Sequence, residues 1–408
     1  MMKEFNTLDD FNFKDKTVIL RVDINCPLDR NDLTIINDSR IRKIAPTVSE
    51  LSSKMAKLVI LAHQSRKGKW DFIPLEQHAK ALSRYTRKDV SFIPDIVGEK
   101  AKQAIMSMNG GEIILLDNIR CLDCETQKKS MEEHSNSELV KTLSPLADYY
   151  VCDAFGAAHR SQCSLVGFQA RLPSAAGRLM AKELYALKAV FDEPKRPSVF
   201  ILGGAKFGDS SPMIDHVLGT GKADQVILVG LAGNAFIKAM GIDLGKASED
   251  ALKEELNDVN LQAAKDMLAK YGQRIILPQD IAIEREGERI DIRIGDLPIS
   301  EPALDIGKGS MEKFRKVILS SGTSFMSGPA GMYEKNNFGE GTRALMMAMI
   351  DSGGQAVIGG GHTVGAADLF DLTDRFSYVS TAGGALETYL LGKPLPAVEA
   401  LKYSCISL

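Results

Sequence analysis

The chain has 408 residues, enough for two domains that each have a hydrophobic core. Its formal net charge is −3 and it has no basic tail or stripe, so we expect no nucleic-acid partner. No apolar stretch approaches the roughly 20 residues that span a bilayer, and the first residues lack the apolar core of a signal peptide. The expected location is therefore the cytoplasm, with no membrane partner.

Short apolar runs alternate with longer amphipathic stretches, which is the pattern of βαβ units. Most runs are continuous rather than alternating, as in strands buried on both faces of a mainly parallel sheet. In the first half the predicted strands are 17–22, 58–62, 90–93, 112–116 and 148–152. In the second half they are 198–202, 225–229, 273–277, either 316–320 or 324–326, 355–358 and 377–380.

A helix near mid-chain is predicted to join two doubly wound α/β domains. Ser174 suits an N-cap, and Pro194 would stop the helix. Apolar residues repeat between them at helical spacing: Met180, Leu184, Leu187 and Phe191. The predicted boundaries are 1–173 for the first domain, 174–194 for a hinge helix and 195–393 for the second domain. The alternative is one more crossover helix inside a single large sheet.

Cationic and polar residues end the strands of the first half or follow them. They are Arg21, Asp23, Asn25, Arg40, His63, Arg66, Asn118, Arg120, Asp153, His159 and Arg160. Ligands of open α/β sheets gather at the carboxyl ends of the strands. A single arginine is most simply a solvated surface charge. Several around one cleft indicate a compact ligand with multiple negative charges, because the guanidinium binds carboxylate and phosphate oxygens bidentately.

Two features of this half leave their roles open. Asp23 and Asn25 alternate at one strand end, where they could bind a substrate hydroxyl or orient the arginines. His159, beside Arg160, suggests a general base or a phosphohistidine. No acid–base partner is readable near His159, so a hydrogen-bonding or structural role is the better interpretation.

Strands of the second half end in glycine. Gly203-Gly204-Ala205-Lys206 follows one strand and Gly359-Gly360-Gly361-His362-Thr363 ends another. Neither segment is a Walker A loop or a GxGxxG motif. Glycine runs alone are more often tight turns than nucleotide sites. Lys206 favours phosphate binding, because a lysine in such a loop balances charge on a migrating phosphoryl group.

The six cysteines follow no framework spacing, which is typical of incidental thiols in a reducing compartment. Cys121 and Cys124 do form a CxxC pair. A structural zinc site would need a second pair, so we do not predict a metal or redox role for it.

Ordered motifs along the chain resemble those of the phosphoglycerate kinase family. They are RVDINCPL at 21–28, AHQSRKG at 62–68, LLDNIRC at 115–121, VCDAFGAAHRSQCSLVGF at 151–168, LPSAAGRLMAKEL at 172–184, ILGGAKFGDS at 201–210, SGPAGMYE at 327–334, GGGHT at 359–363 and STAGGALETYLLGKPLPAVEAL at 380–401. The HQSR and GGGHT strings are most similar to the archaeal branch.

The resemblance implies reversible phosphoryl transfer between ATP and the carboxylate of 3-phosphoglycerate, with Mg²⁺, in glycolysis and gluconeogenesis. The implied phosphoglycerate ligands are Asp23, Asn25, Arg40, His63, Arg66, Arg120 and Arg160. The implied nucleotide ligands are Gly203, Gly204, Lys206, Glu334, Gly360, Gly361, His362 and Thr363. Arg40 and Lys206 would act on the transferring group. The segment from about 394 to 408 would return to the first domain, and no oligomer is required.

Three positions depart from the family pattern. Ser210 replaces a lysine, Ser327 an asparagine and His362 an aspartate that contacts the metal. Neutral histidine is a poor ligand for Mg²⁺, so the resemblance assigns no metal ligand in this chain.

Two other functions remain open at this point. One is a non-catalytic homologue that only binds ligands. The other is a nicotinamide-dependent dehydrogenase, which would need an acidic residue roughly 20 positions after the glycines. Residues 378–384 read YVSTAGG and offer none. For a kinase, we expect the two domains to close when both ligands bind.

Overall fold

The computed structural model describes residues 4–204, 207–253, 257–380 and 382–407. The chain divides into two compact units. The first contains Met1–Leu184 together with Pro394–Leu408, and the second contains Tyr185–Lys393. The returning C-terminal segment is therefore part of the first unit.

The first unit is built on a six-stranded parallel sheet. Its strands are β1 (Thr17–Val22), β2 (Lys57–Leu61), β3 (Ser91–Ile93), β4 (Ile113–Leu116), β5 (Tyr149–Asp153) and β6 (Ser174–Ala176), in the order β3-β4-β2-β1-β5-β6. Its helices are α1 (Ser39–Ser53), α2 (Glu76–Thr86), α3 (Glu99–Met106), α4 (Met131–Ser135), α5 (Glu138–Leu143), α6 (Cys163–Val166) and the start of α7 (Arg178–Phe191). The central strands are buried on both faces, as their continuous apolar runs predict.

The second unit has its own six-stranded parallel sheet. The strands of that sheet are β7 (Ser198–Leu202), β8 (Gln225–Leu228), β9 (Ile275–Ile276), β13 (Thr323–Ser327), β14 (Gln355–Gly359) and β15 (Tyr378–Val379), in the order β15-β14-β13-β7-β8-β9. Three further strands of the unit lie outside it: β10 (Asp280–Arg285), β11 (Glu288–Arg293) and β12 (Asp305–Ile306). Its helices are α8 (Phe207–Gly219), α9 (Gly230–Ala239), α10 (Lys246–Asp250), α11 (Asp258–Tyr271), α12 (Lys308–Leu319), α13 (Glu340–Asp351), α14 (Gly361–Leu369) and α15 (Gly384–Leu390). The last helix, α16 (Pro396–Ser407), packs in the first unit, where Ala397 N donates to Ala158 O at 3.2 Å.

The predicted class, two mainly parallel α/β arrays, is confirmed. A small antiparallel sheet of order β11-β10-β12 in the second unit was not predicted. Its hairpin turns at Glu286 and Gly287, whose φ values are 54° and 82°, as a two-residue turn with positive φ at both positions requires.

One prediction about an individual element was wrong, and one choice between two predicted strands is now decided. Ser174 does not cap a helix, because residues 174–176 form β6 and pair with β5. Helix α7 begins at Arg178, and Asp153 Oδ1 accepts a hydrogen bond from Met180 N at 2.7 Å in its first turn. Residues 316–319 lie in α12, so the predicted alternative around 324–326 is the correct strand. The apolar repeat of α7 is buried as predicted.

Among the residues that the structure describes, none of the helices combines the length and the apolar character that crossing a bilayer requires.

Candidate active site

Most of the predicted cationic residues of the first unit meet at one edge of its sheet. Strands β4, β2, β1 and β5 are neighbours and run parallel, so their carboxyl ends share that edge. Burial lowers the pKa of Arg160, and the charges of Arg66, Arg21 and Arg40 add to the effect while Asp23 opposes it. These guanidinium groups are therefore close enough to repel one another. We call Arg21, Arg40, Arg66, Arg120 and Arg160 the arginine cluster.

Arg21 is the internal member of this cluster and is fully buried. Its Nε donates to Ser164 Oγ at 2.8 Å, and its Nη2 lies 3.7 Å from Glu125 Oε1. Nη2 also donates to His63 Nδ1 at 3.1 Å. With this set of partners, Arg21 positions His63.

Arg120 is buried but incompletely paired. Its Nη1 donates to Ser65 O at 2.7 Å, while its buried Nε has no hydrogen-bond partner. Burial, followed by the charges of Arg160 and Arg21, lowers the pKa of Arg120 to about 10. A buried donor without a partner is costly, and an anion bound here would both pair it and relieve the repulsion.

Asp23 and Asn25 shape the loops around the cluster. Asp23 Oδ2 accepts from Arg40 Nη1 at 2.6 Å. Asn25 Oδ1 accepts from Ser65 N at 2.8 Å. A Cβ at Gly156 would lie 2.7 Å from Asp23 Oδ2, so only glycine leaves room for that carboxylate. Both polar residues therefore orient groups of the cluster.

The two histidines of this region are neutral hydrogen-bond partners. Burial, with the charges of Arg21, Arg120, Arg160 and Arg40, lowers the pKa of His63 well below its usual range. Because arginine can only donate, His63 Nδ1 must accept. Burial also lowers the pKa of His159, whose Nε2 accepts from Arg160 Nε at 3.3 Å.

Sequence reasoning missed two buried residues, Gln64 and His78, that hold these loops in place. Gln64 is buried and pairs with both the N–H and the C=O of Cys26, each at 2.9 Å. His78 Nε2 donates to Gln64 Oε1 at 3.1 Å. Asn118, another predicted residue, is buried and donates to Gln64 O at 2.8 Å. Gln64 and His78 carry no local sequence signal, because their roles arise from tertiary contacts.

Glycines of the second unit let three loops approach closely. A Cβ on Gly203 would lie 2.4 Å from Pro329 O, and a Cβ on Gly230 would lie 2.8 Å from the same atom. Gly328, with φ of +91°, would meet Gly203 C at 2.2 Å. Gly203 is therefore needed for the contact between the loops, whether or not a ligand also approaches its backbone.

A cavity of about 430 Å³ lies within the second unit. Gly204, Glu334 and His362, three predicted nucleotide ligands, line it, and Asn234 lies there too. The helix starts at α9 and α14 contribute Gly230 and His362 to the lining. The N-terminus of a helix favours anions, because its first N–H groups lack partners within the helix.

The GGGHT segment forms the start of α14. Gly360, with φ of +88°, is the N-cap residue and provides no side-chain cap. Thr363 is buried, and its Oγ1 accepts from Gly328 N at 2.7 Å. Its hydroxyl therefore holds the Gly328 loop.

The remaining positions of the predicted site are Lys206 and the three that depart from the family pattern. Lys206 lies outside the described residues, as does the side chain of Ser210. Ser327 ends β13, and its O accepts from Gly203 N at 2.8 Å. His362 Nδ1 lies 4.0 Å from Glu334 Oε1, with both side chains largely exposed. Within the described ranges, no group of three or more His, Cys, Asp or Glu side chains is arranged to hold a metal.

An arginine cluster with two buried members in one α/β unit and a glycine-lined cavity in another are typical of a phosphotransferase with a small anionic substrate. The sequence pattern of phosphoglycerate kinase matches residues 8–393. The chain belongs to the phosphoglycerate kinase family, as its motifs predicted.

Relatives cover nearly the whole chain. The phosphoglycerate kinase of Methanothermobacter thermautotrophicus is 42% identical over 401 residues, which is 98% of this chain and 97% of that one. That of Methanococcus maripaludis is 42% identical over 409 residues, 98% of each chain. The crystal structure of the Pyrococcus horikoshii enzyme superimposes with a TM-score of 0.88 at 36% identity, covering 98% of this chain and 99% of that one. The Coxiella burnetii enzyme gives 0.85 at 32% identity, with 97% and 98% covered. None of these matches favours a dehydrogenase or a non-catalytic homologue.

Proposed function

We propose that this chain catalyses the reversible transfer of a phosphoryl group between ATP and the carboxylate of 3-phosphoglycerate, giving ADP and 1,3-bisphosphoglycerate. Membership of the family supports the reaction. The arginine cluster supports the substrate, and the observation that carries it is Arg120. A buried guanidinium with a pKa lowered to about 10 and an unpaired Nε is suited to a multiply charged anion.

The first unit is the phosphoglycerate-binding domain in this proposal. The substrate has a phosphate at one end and a carboxylate at the other. These two anionic groups explain why the cluster contains several arginines rather than one. The proposed ligands are Asp23, Asn25, Arg40, His63, Arg66, Arg120 and Arg160. Arg21 is a positioning residue, because its side chain is fully buried among protein groups.

No strong general base is required, since the attacking carboxylate of 3-phosphoglycerate is already ionised at neutral pH. The lowered pKa of His63 fits a neutral hydrogen-bonding group. It does not fit a general base that takes up and releases a proton in each turnover. The rate enhancement then comes from positioning and from neutralising charge on an in-line transferring phosphoryl group. We assign that neutralisation to Arg40 and Lys206.

The second unit is the nucleotide-binding domain in this proposal. Glu334 and the cavity that it lines would accept the nucleoside, with the carboxylate directed to ribose hydroxyls. The phosphates would lie against the backbone of Gly203, Gly204, Gly360 and Gly361 and the start of α14, where His362 lies. Thr363 contributes indirectly, through its hydrogen bond to the Gly328 loop.

Magnesium is proposed to arrive with the nucleotide. The described side chains do not provide a set of oxygen ligands for a protein-held cation, and His362 is unsuited to one. Mg²⁺ bound to the ATP or ADP phosphates would reduce their negative charge, while the protein supplies N–H groups and cations around them.

Transfer between ligands held by separate units requires them to be brought together, so we propose that the units close on each other with α7 as the hinge. Glycolysis and gluconeogenesis are the proposed pathways and the cytoplasm the proposed location. The chain needs no oligomeric partner for this chemistry.

A direct assay tests the proposed function. Purified protein is incubated with ATP, Mg²⁺ and 3-phosphoglycerate, and ADP is quantified chromatographically so that no nicotinamide coupling is involved. We expect ADP formation that depends on both substrates. A change in nicotinamide absorbance with NAD and no ATP would instead identify a dehydrogenase. Ligand binding without either reaction would identify a non-catalytic homologue.

A further inference from the structure

Two cysteines lie beside the arginine cluster, and the proposed reaction uses neither. Cys124 Sγ and Cys163 Sγ are 3.2 Å apart, and both are free thiols. Cys124 belongs to the short helical turn Asp123–Glu125, and Cys163 begins α6. Cys163 is buried and Cys124 is partly exposed, so a dissolved oxidant meets Cys124 first.

This pair differs from the one that the sequence suggests. The CxxC motif contains Cys121 and Cys124, but Cys121 is exposed. The sulfur in contact with Cys124 is that of Cys163. A hydrogen bond from Cys163, with the Leu139 amide, lowers the pKa of Cys124 although burial opposes the shift. A larger thiolate fraction makes Cys124 the more nucleophilic sulfur.

Both sulfurs share a network with the arginine cluster. Cys163 Sγ lies 3.2 Å from Glu125 Oε2, which also accepts from Ser164 N at 3.0 Å. Glu125 is fully buried, and its Oε1 accepts from Ser164 Oγ at 2.6 Å. That same hydroxyl accepts from Arg21 Nε at 2.8 Å. The thiols are thus separated from Arg21 only by one carboxylate and one hydroxyl.

We propose that Cys124 and Cys163 form a reversible disulfide when the protein meets a peroxide, and that this bond weakens binding of 3-phosphoglycerate. The Cys124 thiolate attacks one peroxide oxygen, which gives a sulfenic acid and, after protonation of the leaving oxygen, water or an alcohol. Cys163 sulfur then attacks the Cys124 sulfur, its proton passes to Glu125 Oε2, and the departing hydroxide takes up that proton as water. A dithiol reductant reverses the bond.

Bond formation has a geometric consequence for the site. The sulfurs must move from 3.2 Å to about 2.05 Å apart. Cys163 has one S–H hydrogen, which Cys124 Sγ and Glu125 Oε2 both approach at 3.2 Å, and oxidation removes it from this network. Glu125 and the adjacent Ser164 hold Arg21, and Arg21 holds His63. We therefore expect oxidation to disturb the arginine cluster and to leave the second unit's cavity intact.

The effect on binding rests on the proposed function, so the experiment separates the two. The full-length protein is treated with stoichiometric hydrogen peroxide, blocked with an alkylating agent, digested and mapped by mass spectrometry. In parallel, the KM for 3-phosphoglycerate and the affinity for ADP are measured before oxidation, after oxidation and after dithiothreitol. Activity of the reduced protein tests the proposed function, and the difference between oxidised and reduced protein tests this inference.

We expect a cross-linked peptide pair containing Cys124 and Cys163. The KM for 3-phosphoglycerate should rise about tenfold, as for weakened hydrogen bonds to a charged group, and return with dithiothreitol. The affinity for ADP should not change. Cys124→Ser should abolish the response, whereas Cys121→Ser, the matched control in the same CxxC motif, should retain it.

Three results would overturn the inference: no disulfide, a disulfide between Cys121 and Cys124, or the Cys124–Cys163 bond with an unchanged KM. The peptide map of the unmutated protein decides the first two without any variant, so a poorly folding substitution does not affect them.

Discussion

The two units prepare for anions in different ways. The first unit brings charged side chains into a buried place, where Arg21 and Arg120 are almost fully shielded from solvent. The second unit presents backbone at the starts of α9 and α14 beside a cavity lined largely by apolar and glycine residues. One region relies on full charges and the other on the dipoles of N–H groups.

The difference lies in what each arrangement costs. Burying guanidinium groups is unfavourable unless they are paired, and the protein provides Glu125 for Arg21 and the Ser65 carbonyl for Arg120. Arg120 Nε stays a buried donor without a hydrogen-bond partner. The second unit also buries charge, in the Arg289–Asp305 ion pair at 3.0 Å. At its glycine loops, however, it constrains the backbone, so that Gly203 and Gly328 have no room for a Cβ. Changes of charge should therefore damage the first region, and changes of volume or loop anchoring the second.

The largest expected effect is on turnover. Arg40→Ala should lower kcat by roughly 10²- to 10³-fold, as for loss of a group that stabilises charge in the transition state. The affinity for ADP should remain that of the unmodified protein, because Arg40 belongs to the first unit. Steady-state kinetics and calorimetry with ADP measure the two quantities.

Arg42→Ala is the matched control for this variant, since Arg42 is an exposed arginine on the same helix, α1. It should leave kcat unchanged. Equal losses of turnover and of ADP affinity in Arg40→Ala would contradict a role for Arg40 in the transition state.

A smaller effect should appear in the pH dependence of stability. Burial lowers the pKa of His78 to about 4. Below pH 6.5 the unfolded chain takes up a proton at this residue and the folded chain does not, so the free energy of unfolding falls as the pH falls. Between pH 7 and pH 5 this loss amounts to about 2 kcal/mol. His78→Gln should remove it while keeping a donor for Gln64.

The single tryptophan makes this measurable for the first unit alone, because Trp70 lies in it. Urea unfolding followed by Trp70 fluorescence at both pH values gives the free energies for the unmodified and variant proteins. If the difference in free energy of unfolding between the unmodified protein and His78→Gln is the same at pH 7 and pH 5, His78 is not held neutral in the folded protein.

The side-chain site was the easier one to predict from sequence. Arginine, histidine and asparagine at strand ends are visible in a single sequence, and parallel pairing brings them to one edge. Glu125, Ser164 and Gln64 were missed because each acts on a residue between 38 and 143 positions away. Nothing local marks a buried glutamate as the partner of Arg21.

The backbone site was harder. A glycine run in the sequence shows where side chains are absent. It does not show whether a ligand or another loop of the protein fills the space. The space beside Gly203 is filled by the Gly328 loop. The Thr363 hydroxyl accepts a hydrogen bond from the same loop. The assignments of Lys206, Gly360 and Gly361 to the phosphates stay predictions.

Parts of the fold were missed for a related reason. Strands β10 and β11 carry charged residues at both ends, and β11 is partly exposed along its length, so both lack the long continuous apolar runs of the parallel sheets. The Glu286-Gly287 turn between them was the available signal. Strand β6 is a run of small residues, Ser174 to Ala176, which sequence patterns assign poorly.

A crossed pair of titrations tests the division between the two regions most directly. Calorimetry measures 3-phosphoglycerate and ADP separately on the unmodified protein, Arg120→Gln and Thr363→Val, with Arg120→Lys and Thr363→Ser as matched controls that keep the charge and the hydroxyl. Arg120→Gln should weaken only 3-phosphoglycerate binding, by about 10- to 100-fold, and Thr363→Val should weaken only ADP binding, by about fivefold. If 3-phosphoglycerate does not bind the unmodified protein without nucleotide, or if either variant weakens both ligands equally, the separation of the two anion sites is contradicted.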